Sequence, residues 1–393
     1  IAESEFLNSI KLNKNFIDPY KNLFKLNLKI GDFNSAIENG KKIIDLDVQK
    51  NSISYFNLAL AYDLNKDYEK AIEIYKIVET LSFKDKKILF NNMAKCFWGA
   101  QQVNNAKHYY LKALEIDQND KLIINNLLIL YLRTGEKDNI EQFYKKAEQI
   151  DENYIEFKLN KSDYFLFKDK TEKAIELLKS IIEDSKNYTA YTKLAKIYSI
   201  IGSNKKAIET VEEAISIYPN IKDLKFTRGI LHLIEGNFKE GWEFYELRDS
   251  FVIDSSFENI KTWRGENLKD STILVTSEQG MGDILQFSKF LINLSFLTKK
   301  IDFVIFDKLL PVFKSNFKNI NIYKKSEILK NKYDYKISIG SLNKYFYKDN
   351  NSNSSDLMNL TSDKKDQSKL FLNNKKKNIG LVWSGNFFGP REP

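Results

Sequence analysis

Several residue types are scarce in this chain of 393 residues, and each scarcity excludes a class of protein. The single cysteine, Cys96, excludes a disulfide framework within the chain and fits a reducing compartment. Only 5 prolines and 15 glycines occur beside 42% hydrophobic residues, so the composition is that of a folded protein. No apolar run of about 18 residues and no signal-peptide pattern is present, so we expect no membrane span and predict a cytoplasmic protein.

Arginine is also scarce, and this bears on the partner. Lysine and arginine together exceed the acidic residues by 61 to 53, which gives a formal net charge of +8 and by itself favours an anionic partner. Only five of these 61 residues are arginine, whereas phosphate and base recognition favours the guanidinium fork. We therefore predict no nucleic-acid partner and interpret most lysines as solvated surface.

The two histidines, His108 and His232, lie in the first 250 residues, so the C-terminal part cannot hold a Ser-His triad or a His-based metal centre. The length exceeds that of one compact core and indicates two or more units. The chain opens on Ile1 and stops at Pro393 soon after an apolar run begins, so we expect a fragment of a longer protein.

One internal period organises the chain as far as about Arg248. A small or apolar residue that follows a polar stretch recurs at spacings of 35, 35, 34, 34, 33 and 34 residues. We call these positions the marker residues: Ala36, Ala71, Ala106, Ile140, Ala174, Ala207 and Gly241. A period in the range of roughly 20 to 50 residues is typical of solenoids, so we predict one helical hairpin for each marker.

Two further positions recur with the markers. Twelve residues before the marker, five of seven repeats have a small residue, at Ala59, Ala94, Ser162, Ala195 and Gly229, whereas Phe24 and Leu128 depart from the rule. Nine residues before it, five of seven have an aromatic residue, at Tyr62, Phe97, Tyr131, Phe165 and Tyr198. Small residues on both helices allow the two backbones to approach closely, and the aromatic ring fills the space between turns. We interpret the aromatic row as core and not as a cofactor site.

This period and residue set resembles the tetratricopeptide repeat family, over roughly residues 16–248. The resemblance implies an α-solenoid, in which stacked hairpins form a superhelix. It also implies that a protein or peptide binds in the concave groove lined by the inner helices.

The pattern changes after Ser271, where helical spacing gives way to short strands. Apolar segments at 273–275, 301–306, 320–323 and 335–339 alternate with helical stretches, which favours a parallel sheet in an α/β domain. We expect a tight loop over Ser277–Gly282, in which Gly280 and Gly282 permit a close backbone approach. Asp283 is expected to open a helix that continues to about Leu297.

Four motifs occur in the same order as in a known family. They are EGW (240–242), WRGE (263–266), ILVTSEQGMGDILQF (273–287) and IGLVWSGN (379–386). They resemble the heptosyltransferase-like glycosyltransferases and bacterial proteins that append such a domain to tetratricopeptide repeats. The resemblance implies a Rossmann-like domain that is the N-terminal half of a GT-B fold, and sugar transfer without a metal. A nucleotide sugar would then be the donor substrate, and no cofactor is needed.

The same resemblance assigns site residues. Asp283 matches the catalytic-base position, and the loop around it would bind substrate through Glu278, Gln279, Gly280 and Gly282. Residues Ser384, Gly385 and Asn386 would form the first phosphate-side loop of the donor domain. Two alternatives stay open: Asp283 simply caps the helix, or Glu278 is the carboxylate that acts.

These inferences divide the chain into five segments. We predict a repeat array of about seven repeats at 1–250, a linker at 251–271 and a Rossmann-like domain at 272–347. A polar connection at 348–376 and the start of a truncated second Rossmann-like domain at 377–393 follow. The predicted function is that of a glycosyltransferase-like protein, inactive as this fragment, whose repeats bind a protein or glycan acceptor. The alternative is a pure protein–protein interaction scaffold with a degenerate appended domain.

Overall fold

The structure is a computed structural model and describes residues 2–47, 49–248, 257, 259–277, 280–324, 327 and 332–347. In this part of the chain fifteen α-helices precede a small sheet. The helices are α1 (Ala2–Leu12), α2 (Ile17–Ile30), α3 (Phe33–Leu46), α4 (Ser52–Leu64), α5 (Tyr68–Thr80), α6 (Lys86–Gly99), α7 (Val103–Ile116), α8 (Lys121–Thr134), α9 (Lys137–Asp151), α10 (Ile155–Phe167), α11 (Thr171–Ser185), α12 (Tyr188–Ile200), α13 (Asn204–Ile217), α14 (Lys222–Ile234) and α15 (Phe238–Tyr245). Across these described residues, no helix has the length and apolar character needed to cross a membrane.

The chain divides into two compact units within α11, the first ending at Leu177 and the second beginning at Leu178. Helices α2 to α15 follow the marker period: even-numbered helices are the first helix of a hairpin, and odd-numbered helices are the second. Helix α1 precedes the first hairpin. The predicted series of seven helical hairpins is confirmed.

Every hairpin turn contains one residue in the left-handed conformation, five positions before the marker. At Gly31, Gly135, Gly202 and Gly236 the angle φ is 79°, 73°, 76° and 82°, whereas at Lys66, Gln101 and Asp169 it is 61°, 60° and 55°. A side chain with a Cβ is strained in this region and glycine is not. The turn geometry therefore repeats even where the sequence does not supply glycine.

The marker residues lie inside the hairpins. The six markers with a side chain are 0% exposed, and Gly241 is buried on α15. In the last hairpin, a Cβ added to Gly229 of α14 would lie 2.8 Å from Phe244 Cβ and 3.1 Å from the carbonyl oxygen of Gly241. The two backbones thus approach as closely as the small residues predict.

The recurring aromatic residues belong to the core, as predicted. Tyr62, Phe97, Tyr131 and Tyr198 are buried, and Phe165 is half-buried. In the first unit, the ring of Phe97 stacks on that of Tyr109 with 5.2 Å between centroids.

The second unit also contains a four-stranded parallel sheet in the order β3-β2-β1-β4. The strands are β1 (Thr272–Thr276), β2 (Lys300–Ile305), β3 (Asn321–Lys324) and β4 (Tyr335–Ser338). The helices of this part are α16 (Met281–Phe287), α17 (Lys289–Ser295), α18 (Leu310–Asn316) and α19 (Leu342–Phe346). The four strand positions are confirmed to within one or two residues, and the small parallel sheet is compatible with the expected α/β domain.

Alternation along the strands gives the sheet two different faces. Ile273 and Val275 point into the larger core shared with α16 to α19, whereas Leu274 packs with Phe257 and Val304 on the other face. Asp302 lies on this second face and is 0% exposed. Its carboxylate accepts hydrogen bonds from the Lys300, Asn321 and Tyr333 side chains at 3.1, 2.7 and 3.0 Å, so the buried charge is satisfied.

The prediction of one helix from Asp283 to about Leu297 is wrong in two respects. The helix begins at Met281, and Ser288 separates α16 from α17. Ser288 is 1% exposed, and its hydroxyl donates to the carbonyl oxygen of Leu285 at 2.7 Å. A serine hydroxyl that bonds to a nearby carbonyl competes with the helical ladder, which accounts for the interruption.

Helix α15 packs directly on the α/β part of the second unit. The Trp242 ring meets that of Phe287 edge-on at 6.1 Å and that of Tyr347 at 5.9 Å. Beyond the helix, the buried guanidinium of Arg248 donates to the hydroxyls of Ser338 and Ser341 at 3.4 and 2.8 Å. The last repeat and the sheet therefore share one core.

Candidate functional site

The structure describes three of the eight predicted site residues. Gly280, Gly282 and Asp283 follow the carboxyl end of β1. The other five lie outside the described residues: Glu278, Gln279, Ser384, Gly385 and Asn386. The structure therefore bears only on the region around Asp283.

Asp283 is the third residue of α16, and Gly280 is the N-cap. The Asp283 carboxylate accepts a hydrogen bond from the backbone N–H of Gly280, which is the reach-back half of a capping box. Burial raises the pKa of Asp283 above its ordinary value, and this hydrogen bond offsets part of the rise. The geometry thus provides the capping contact and also a half-buried carboxylate beside the end of a strand.

The backbone conformation does not require glycine at either of the two glycine positions of the loop. Gly280 has φ −61° and ψ 161°, and Gly282 lies within α16. A Cβ on Gly280 would come no closer than 3.6 Å to Asp283 Oδ2, and a Cβ on Gly282 would meet nothing within 4 Å. These backbone angles do not require glycine, because any residue adopts them. A close backbone approach to a ligand at Gly280 and Gly282 stays a prediction.

A second candidate site lies on the first helices of the first unit. In α4, α6 and α8 the solvent-facing side follows positions 18, 14, 11 and 7 before the marker, which we call the first-helix stripe. Offsets of four and three residues keep these side chains on one helix face. The stripes are Ile53, Asn57, Leu60 and Leu64 in α4, Ile88, Asn92, Lys95 and Gly99 in α6, and Leu122, Asn126, Ile129 and Arg133 in α8.

Asparagine occupies the second stripe position in five consecutive repeats, at Asn22, Asn57, Asn92, Asn126 and Asn160. Asn22 is exposed, the next three are half-buried, and Asn160 is buried. Sequence reasoning missed this row, although its signal was present as an asparagine fourteen residues before each of the first five markers.

Hydrogen bonds between asparagines show that the first helices of neighbouring repeats lie side by side. Asn126 Nδ2 donates to Asn91 Oδ1 at 3.1 Å, and Asn160 Nδ2 donates to Asn125 Oδ1 at 2.8 Å. Equivalent stripe positions of α6, α8 and α10 are therefore neighbours in space.

The stripes of α4, α6 and α8 are mainly apolar apart from the asparagines. Ile53 is 58% exposed, Leu64 43%, Ile88 47% and Leu122 44%. Within α4, Ile53 and Leu64 are the exposed residues, because the rest of that helix is buried or half-buried. Exposed apolar residues that are contiguous, and not scattered, indicate an interaction surface.

One charged pair lies between the stripes of α4 and α6. Lys95 Nζ is 4.0 Å from Asp63 Oδ2, and the Asp63 side chain is only 10% exposed. Burial raises the pKa of Asp63, while the Lys95 ammonium and a hydrogen bond from the Cys96 thiol partly offset that rise. Burial likewise raises the pKa of Cys96, so this thiol is not a reactive thiolate.

Comparison with known proteins agrees with the helical pattern. Residues 53–84, 89–120 and 188–221 match the family model of the tetratricopeptide repeat, and they hold the hairpins α4–α5, α6–α7 and α12–α13. Among curated proteins, Protein FlbA of Caulobacter vibrioides is 26% identical over 136 residues, covering 31% of this chain and 22% of that protein. The match thus spans about a fifth of the length of this relative.

Two solved structures are similar in part. A tetratricopeptide repeat protein from Parabacteroides merdae is 16% identical, with 60% of this chain and 94% of that chain covered and a TM-score of 0.49. Yeast Tom70 is 17% identical, with 62% and 53% covered and a TM-score of 0.48. The family matches therefore identify tetratricopeptide repeats at residues 53–84, 89–120 and 188–221, and the other hairpins share their turn geometry.

Proposed function

We propose that the repeats bind an extended segment of another protein along the first-helix stripes of α2 to α8. The observation that carries the proposal is the asparagine at the same position of consecutive first helices. On these four helices Asn22 is exposed, and Asn57, Asn92 and Asn126 are half-buried, so each asparagine lies on a helix side that packing does not fully cover.

A row of asparagine carboxamides can form hydrogen bonds with the backbone of an extended peptide. Each asparagine has both donor and acceptor groups, and an extended peptide presents an N–H and a C=O at every residue. Packed helices lie about 8–10 Å apart, and an extended chain advances about 3.3 Å per residue, so successive asparagines would meet about every third peptide residue. Such a row holds the backbone and leaves side-chain preference to its neighbours.

Selection from a random peptide library on the purified chain tests the proposal. We expect enriched peptides whose binding, followed by fluorescence anisotropy, weakens roughly tenfold or more in the double variant Asn57→Ala, Asn92→Ala. Two hydrogen-bonding side chains contribute about 0.5–1.5 kcal/mol for each bond, which supports that estimate.

The matched control is Asn104→Ala, which removes an exposed asparagine from a second helix, α7. It should leave affinity unchanged. If no peptide is enriched, or if the double variant folds and binds as tightly as wild type, the stripe is not a peptide site.

We propose, as a second function, that the α/β part contributes to sugar transfer from a nucleotide sugar, with Asp283 as the base. Its position supports this: it follows β1, and β1 lies between β2 and β4, where the strand order reverses. Ligands of open α/β sheets bind outside the carboxyl ends of strands at such a point. A carboxylate whose pKa is raised by burial is also better matched to proton abstraction near neutral pH.

Two substitutions separate the base from the cap. Asp283→Asn keeps a capping side chain, so unchanged thermal stability with lost release of nucleoside diphosphate from nucleotide sugars would support the base. Asp283→Ala removes the cap, and we expect a loss of about 1 kcal/mol in either case. Turnover has to be measured in a chain that includes a second Rossmann-like domain, because the present segment is expected to be inactive alone. In that longer chain, retained turnover in Asp283→Asn excludes the base, and absence of turnover in the wild type favours the interaction scaffold.

A further inference from the structure

We propose that the bound peptide is aliphatic where it crosses α4, α6 and α8 and carries carboxylates where it crosses α2. This inference rests on the proposed peptide-binding function and names the chemistry of the partner. Three features of the stripes carry it.

The first feature is the aliphatic middle. Beside the asparagines, the stripes present six aliphatic residues, three in α4, one in α6 and two in α8. They are Ile53, Leu60, Leu64, Ile88, Leu122 and Ile129. Solvated helix faces are ordinarily polar, so an apolar stripe on three neighbouring helices needs a cover. Aliphatic side chains of the peptide would bury this surface, and the asparagines beside it would bind the backbone.

The second feature is the basic end. On α2 the stripe holds Asp18, Asn22, Lys25 and Lys29, and both lysines are exposed. Asp18 is in an ion pair with Lys21 at 3.3 Å, so its charge is already compensated. The stripes of α4, α6 and α8 contain no carboxylate at any of their twelve described positions. They contain Arg133 and also Lys95, which lies 4.0 Å from the Asp63 carboxylate. A peptide with carboxylates over α2 therefore meets two exposed lysines, and the one carboxylate of that stripe is paired with Lys21.

The third feature is the acidic end of the same surface. The stripe of α10 holds Glu156, Asn160, Asp163 and Phe167, so it has two carboxylates and no cation. The exposed carboxylate of Glu156 would disfavour a carboxylate-bearing end there, whereas the lysines of α2 would attract it. The charges thus specify one orientation for the peptide, since electrostatic complementarity contributes specificity and register.

The experiment is peptide-library selection on four pairs of substitutions, with binding of the selected peptides followed by anisotropy. Lys25→Glu with Lys29→Glu reverses the basic end, and Ile53→Ser with Ile88→Ser removes aliphatic surface. The charge control, Lys137→Glu with Lys173→Glu, makes the same change in net charge on second helices α9 and α11.

The apolar control is Ile77→Ser with Ile116→Ser, on second helices α5 and α7. These residues are 44% and 53% exposed, which is similar to Ile88 and Ile53 at 47% and 58%. All eight positions are exposed, so we expect little change in stability from any pair.

For the wild type, we expect enriched peptides with aliphatic residues in the middle and aspartate or glutamate toward one end. The Lys25/Lys29 pair should weaken their binding about threefold to tenfold, more at low salt, and should shift the selection toward basic ends. The Ile53/Ile88 pair should weaken binding on the order of tenfold or more. The two control pairs should bind like the wild type.

Enriched peptides that are basic or lack aliphatic residues would overturn this inference and leave peptide binding intact. The inference also fails if the control pairs weaken binding as much as the stripe pairs do. Failure to enrich any peptide would instead overturn the proposed function itself, so the two failures are distinguishable.

Discussion

Gly229 lies where α14 crosses α15, and an alanine there tests how closely the two helices must pack. The added Cβ would lie 2.8 Å from Phe244 Cβ and 3.1 Å from both the Gly241 carbonyl oxygen and the Phe244 carbonyl carbon. None of these atoms is the end of a flexible side chain, so the helices would have to separate. Overpacking costs about 1–3 kcal/mol, and alanine gains about 1 kcal/mol over glycine inside a helix. With about 2 kcal/mol for the overpacking, the middle of that range, the expected net loss is about 1 kcal/mol.

Thermal unfolding followed by far-UV circular dichroism measures this loss. A decrease in Tm of roughly 2–4 °C corresponds to it, because domains of about 150–250 residues shift by about 2–4 °C per kcal/mol. Gly282→Ala is the control, since nothing lies within 4 Å of its added Cβ, and its Tm should not fall. Helix propensity alone predicts a gain for Gly229→Ala, so a Tm at or above the wild-type value would refute the packing argument.

For three further substitutions in the first unit, the structure predicts the direction of the change in stability. Gln101 has φ 60°, a left-handed conformation in which glycine is unstrained. Gln101→Gly should therefore raise the free energy of unfolding in urea by about 0.5–1 kcal/mol. A lower free energy of unfolding would contradict the strain at this turn. Asp120 caps α8 by accepting hydrogen bonds from the backbone N–H groups of Leu122 and Ile123. Asp120→Ala should therefore lower the free energy of unfolding by about 1–2 kcal/mol, and Asp120→Asn by much less. Equal losses in the two variants would show that the cap is unimportant. Folding raises the pKa of Asp63, so this carboxyl destabilises the native state once it ionises. Asp63→Asn should therefore stabilise the protein at pH 7, and the stability difference from wild type should shrink as the pH falls to about 4. A gain in stability that does not depend on pH would contradict the raised pKa.

The repeat architecture was predictable because its physical cause is local and recurs. A small residue at each helix crossing leaves a signal in the sequence every 33 to 35 positions, and the structure buries each marker. The turn conformation was only partly predictable. Gly135 and three other glycines indicate a left-handed residue, whereas Gln101 adopts it because the surrounding hairpin requires it.

The site around Asp283 was less predictable. The sequence indicates a strand, a loop and a helix, but the helix start and the break at Ser288 depend on competition between side-chain and backbone hydrogen bonds. The capping hydrogen bond from Gly280 to the Asp283 carboxylate also depends on the fold of the loop, which spacing does not reveal. The asparagine row was legible in the sequence, but its exposure was not.

The sequence by itself determined which residues are small, aromatic or apolar at fixed intervals, and therefore the hairpins, their number and the succeeding parallel strands. The hairpins follow from steric fit between helices that are adjacent in sequence, and the strands follow from short apolar segments that alternate with helical ones. Only the tertiary structure decided that Ile53, Ile88 and Leu122 face solvent while residues of the same kind form the core. It also placed Trp242 and Arg248 against the sheet, because burial depends on which helices become neighbours and not on the hydrophobicity of one residue.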